Sequence, residues 1–97
     1  MKNAMESNTG AVPSKDEIIE TVINIFVREI GFIEREKVSR TTHIVKDFYI
    51  YTDDLSLFLL AVEKHFGIKP AIEKWSSFEP TIERIADFVL QHLLKKQ

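Results

Sequence analysis

The sequence predicts an all-α fold: three main helices and one short one, with a long loop between the first and second. Three observations carry this expectation. Apolar residues recur at three- and four-residue spacing in three separate segments, within residues 18–30, 55–66 and 82–93. Residues that start and stop helices bracket those segments. No stretch alternates apolar with polar residues as a half-buried strand would.

Residues 1–13 are small and polar, with little to bury, and are expected to form a flexible tail ahead of a domain over 14–97. Structure should begin at Ser14, whose hydroxyl can cap the backbone while Glu17, three residues on, reaches back to complete a capping box. From there Ile18, Ile19, Val22, Ile23, Phe26 and Ile30 share one stripe, and Glu17, Glu20, Thr21, Asn24 and Arg28 take the other side. Gly31 is the expected stop, because glycine tolerates the left-handed conformation that closes a helix.

The segment from Phe32 to Tyr51 lacks a helical or strand period. Val38, Ile44, Val45 and Phe48 read as anchors pinning a long loop to the core. The second helix runs from Thr52 or Asp53 to Phe66, opened by Asp53 and Asp54 at the positive end of its dipole and closed by Gly67. A short third helix is expected between Ala71 and Trp75. The last begins near Thr81 and places Ile82, Ile85, Ala86, Val89 and Leu93 on one face.

Composition narrows the function. The chain of 97 residues is long enough for one domain, and its 44% hydrophobic share is that of an ordinary globular protein. Its 13 basic and 15 acidic residues are interspersed and sum to −2, which offers nucleic acid no broad basic footprint. With no cysteine, disulfides, thiolate metal sites and thiol catalysis are excluded together. The longest apolar run, Leu57 to Val62, is far short of the roughly 20 residues that span a bilayer, and no secretion signal opens the chain. A cytoplasmic protein, neither exported nor membrane-bound, is the expectation.

Enzyme signatures are missing. Gly10, Gly31 and Gly67 are too scattered for a phosphate loop, and His43, His65 and His92 lack metal-ligand spacing and read as surface or loop-edge residues. The mixed run Glu34 to Lys37 reads as a solvated loop, and Trp75 as a lid on the core.

One stretch carries more. "VKDFYIYTDDLSLFLLAVEKHF", residues 45–66, aligns without a gap on the acyl-carrier-protein pattern of Val-Glu-Asp-Leu-Gly, a two-residue step containing Asp, Ser-Leu and a helix ending Ala-Leu-Glu-x-x-Phe. Asp47, Ala61, Glu63 and Phe66 fall on matching positions, "VSRTTHIVKDF" resembles the family's preceding loop, and "PTIERIADFV" its fourth helix. The sequence thus resembles acyl carrier proteins over Ser14 to Leu94, and implies their helical bundle. It resembles more closely a group of small bacterial carrier-like proteins in which an Asp-Asp pair opens the second helix.

The modification motif departs from the family. Thr52 stands where the family's serine receives 4'-phosphopantetheine, Tyr49 replaces a glycine, Tyr51 an aspartate and Asp53 a leucine. The β-methyl of Thr52 crowds its hydroxyl, and two following aspartates set negative charge beside a phosphodiester. Ser56 lies one turn inside the helix and reads as an ordinary helical residue.

Carrier partners read an acidic second helix, but here Leu57 and Leu60, with Asp53 and Lys64, take its outward side. Two arrangements stay open: these leucines form a docking face for a cytoplasmic protein, or Ile72 and Trp75 of the short helix cover them. The expected function is a non-enzymatic interaction module without cofactor. The alternative is a working acyl or peptidyl carrier with 4'-phosphopantetheine on Thr52. Neither reading fixes the oligomeric state.

Overall fold

A computed structural model describes residues 12–50 and 52–96, and of Thr52, Ile72 and Lys96 the backbone only. Residues 1–11 of the expected tail lie outside the described residues. The helices are α1 (Lys15–Ile30), α2 (Thr52–Phe66), α3 (Ile72–Trp75) and α4 (Ile82–Lys96), with a short 3-10 turn at Arg35–Lys37. Among the described residues there is no strand, only an isolated antiparallel bridge between His43 and Thr81.

α1 is the central element, packing against both α2 and α4. The expected capping box is present: Ser14 Oγ accepts from the Glu17 amide at 3.1 Å, and Glu17 Oε1 accepts from the Ser14 amide at 2.8 Å. Gly31 closes the helix at φ 87°, donating its N–H to the Val27 carbonyl. The six expected core residues of α1 are all buried, and so is Ile25. Two packed neighbours require a wider apolar stripe than one, which is why Ile25 joins it.

α2 turns Phe58 and Val62 into the core, with Leu55, Leu59 and Phe66 partly buried against it. Phe58 meets Phe26 of α1 edge-on at 5.2 Å between ring centroids, a favoured aromatic geometry. Gly67 ends the helix at φ 67°. From α4, Ile82, Ile85, Ala86 and Val89 are buried, and Leu93 is half-buried against the same core.

The segment between α1 and α2 is pinned as expected at Val38, Ile44, Val45 and Phe48, and also at Ile33 and Ile50. Its backbone is tied to the start of α4: the Ile44 amide donates to the Pro80 carbonyl, and the amides of Ile82 and Glu83 donate to Thr42 and Arg40. These bonds satisfy backbone groups that an irregular, partly buried segment would otherwise leave unpaired. Lys15, ion-paired to Asp87 at 2.9 Å and Glu83 at 3.5 Å, joins the starts of α1 and α4. Its hydrogen bond to Asp87 is the main reason its pKa lies above the ordinary lysine value.

Candidate functional site

The outward strip of α2 follows from helix geometry. At about 100° per residue, Asp53, Leu57, Leu60 and Lys64 fall within about 60° of the helix circumference. All four are exposed, Leu57 at 54% and Leu60 at 46%. The strip borders a shallow groove of about 400 Å³ between the helices, lined by Leu57, Leu60, Ala61, Lys64 and His65 of α2 and by Arg28 and Glu29 of α1.

Among the described residues, the short helix leaves both leucines exposed. Trp75 is buried on a different side of α2, where its Nε1 donates to Glu63 Oε2 at 2.7 Å and its ring lies 4.6 Å from that of Phe88. Trp75, Ser76 and Phe78 instead face Leu55, Ser56 and Leu59 across a half-open, mainly apolar cleft of about 570 Å³, which Ile44 and Val45 also line. Trp75 is thus buried against the core, as expected of it, and also lines this cleft. The side chain of Ile72, the other candidate cover, lies outside the described residues.

α2 begins at Thr52 itself, whose side chain lies outside the described residues, as does Tyr51. Ser56 is exposed at the rim of the cleft, within the continuous helix. Just upstream, Tyr49 takes φ 53° and is 87% exposed. A bulky residue in the left-handed region is strained, whereas glycine adopts it freely.

His43 is more closely tied than its sequence position suggests. Its Nδ1 accepts the amides of Val45 and Lys46, so the ring proton belongs on Nε2, which donates to Glu79 at 3.1 Å. The backbone N–H of His43 in turn donates to Asp47 Oδ2 at 2.8 Å. Glu79 is distant in sequence, so spacing carries no sign of this clamp. It fastens a loop, and among the described residues no three histidines or carboxylates cluster as metal ligands. His65 is exposed against the Phe66 ring, and His92 is half-buried against Phe88. In the Glu34–Lys37 run, Arg35 reaches back to Glu20 at 2.7 Å.

No family model matches the chain, and no curated protein or solved structure matches it. Among the described residues, no helix is long and apolar enough to cross a membrane.

Proposed function

We propose that this protein is a non-enzymatic, cytoplasmic interaction module, a diverged acyl-carrier-protein-like bundle without prosthetic arm. In this reading Asp53, Leu57, Leu60 and Lys64 of α2 dock a partner protein. The exposure of Leu57 and Leu60 is the observation that carries it: two adjacent leucines on an outward helix face are an unfavourable surface unless contact covers them. An amphipathic face with apolar anchors at helical spacing is a common way for proteins to meet.

The carrier-like part of the proposal is supported by the order and lengths of the helices and by Tyr49. The left-handed backbone at Tyr49 lies where the carrier pattern has glycine, as though the backbone geometry had outlasted the residue that suits it.

A specific observation favours the second reading, a working carrier with 4'-phosphopantetheine on Thr52. The apolar cleft lined by Trp75 lies beside the first turns of α2 and has room for an aliphatic chain. Against it stand the crowded threonine hydroxyl and the carboxylates of Asp53, which is exposed, and Asp54. These residues fit a phosphodiester poorly.

Intact-protein mass spectrometry after co-expression with a broad-specificity phosphopantetheinyl transferase separates the two readings. No mass increase, beside a carrier that is modified, is the expected result. A gain of one phosphopantetheine that disappears in Thr52→Ala would overturn the proposal in favour of the carrier.

A further inference from the structure

The strip on α2 is complementary to itself. Its residues are spaced four, three and four apart, the spacing by which two helices pack along a shared seam. Its charge changes sign along its length, from Asp53 through the two leucines to Lys64. Asp53 and Lys64 are equidistant from the midpoint between Phe58 and Leu59, and so are Leu57 and Leu60.

Two copies of α2 laid parallel in register would set Asp53 against Asp53 and Lys64 against Lys64. Turned antiparallel about a two-fold axis through that midpoint, the same residues set Leu57 against Leu60 and Asp53 against Lys64, twice over. This is the condition for an interface made of one patch meeting itself. The helix dipoles favour the same orientation, since each positive end then lies beside the other's negative end.

The charges are also free to do this. Lys15, Arg28, Arg35 and Arg40 each hold a carboxylate of their own chain, but among the described residues neither Asp53 nor Lys64 has an ion-pair partner. Beside the groove, Arg28 and Glu29 neutralise one another at 3.3 Å and leave the sign of the strip unchanged.

We infer that the occupant of this strip is a second copy of the same chain, packed antiparallel through α2 so that Leu57 meets Leu60 and Asp53 meets Lys64 across a two-fold axis. This rests on the docking reading of α2 above. Four side chains a copy make a small interface, so the dimer is weak and reversible.

Sedimentation velocity on the full chain, at concentrations up to about 1 mM where a weak dimer becomes populated, provides the test. The wild type is expected to dimerise. Asp53→Lys makes the strip wholly positive and Lys64→Asp makes it wholly negative, so each variant alone is monomeric. Mixed in equal amounts, the two form a heterodimer, and the double variant, D53K with K64D, again pairs with itself. A parallel register would also let the mixture pair, but it would give the wild type and the double variant the same like-charge contacts as the single variants. Loss of association in each single variant and its return in the double variant therefore fix the antiparallel register. All the substituted positions are exposed, and circular dichroism checks that each variant is folded.

Salt gives a second measurement that needs no variant: raising it from about 0.05 M to about 0.5 M weakens wild-type association roughly two- to tenfold, by screening two exposed ion pairs. A wild type monomeric at the highest concentration, single variants that self-associate like the wild type, or a mixture that does not pair would each overturn the inference. The docking reading fails by a different sign, phosphopantetheine on Thr52, so the two failures are distinguishable.

Discussion

α1 and α2 are nearly equal in length, 16 and 15 residues, and both turn a phenylalanine into the same core, yet their outer faces differ. On α1 the outward residues are polar, and several are satisfied within the chain: Glu20 and Asn24 by Arg35, Arg28 by Glu29. On α2 the outward strip carries two leucines, and among the described residues the flanking charges, Asp53 and Lys64, have no ion-pair partner. One helix is complete within its own fold. The other has a buried core side and an exposed apolar outer side, and that contrast separates residues that hold the fold from the residues proposed for contact.

The contrast breaks most sharply at Phe58, fully buried on the inner side of α2. Phe58→Ala leaves a cavity against Phe26 and is expected to cost about 3–5 kcal/mol, read from chemical denaturation. A cost below about 1 kcal/mol would mean that α2 is not held as described. A smaller effect, of opposite sign, is expected upstream. Tyr49→Gly relieves the left-handed strain while losing little contact, since the ring is 87% exposed, and should stabilise by about 1 kcal/mol after the extra entropy of an unfolded glycine is offset. A lower melting temperature would show that the Tyr49 ring makes contacts worth more than the strain.

The smallest effect on stability belongs to the outer strip. Leu57→Asp should change unfolding free energy by no more than about 0.5 kcal/mol, as for an ordinary surface position, while abolishing self-association. A large loss of stability would place Leu57 in the core and remove the distinction between the two sides of α2.

The elements defined by local rules were legible in the sequence. The capping box at Ser14 and Glu17, the stop at Gly31 and the buried faces of α1, α2 and α4 each depend on residues within a few positions of one another. The anchors Val38, Ile44, Val45 and Phe48 stood out as apolar residues in a polar stretch. What could not be read is where that stretch would be tied. The His43–Glu79 clamp and the bonds from Arg40 and Thr42 to the start of α4 join residues about 40 positions apart, a distance at which no spacing rule operates. The candidate site was half legible for the same reason. Periodicity placed Leu57 and Leu60 outward, but whether the α3 segment would lie over them depended on the tertiary path of the chain, which instead carries Trp75 to Glu63.

Trp75 is the only tryptophan in the chain, and it lines the cleft rather than the outer strip. Light at the red edge of protein absorption therefore excites one indole, whose Nε1 is held by Glu63 on α2. Its emission colour and lifetime report the polarity and closure of the cleft, and the outer strip contributes no indole of its own. A native optical probe is thus already present where an apolar guest would be detected, while events on the opposite side of α2 can be followed independently by mass.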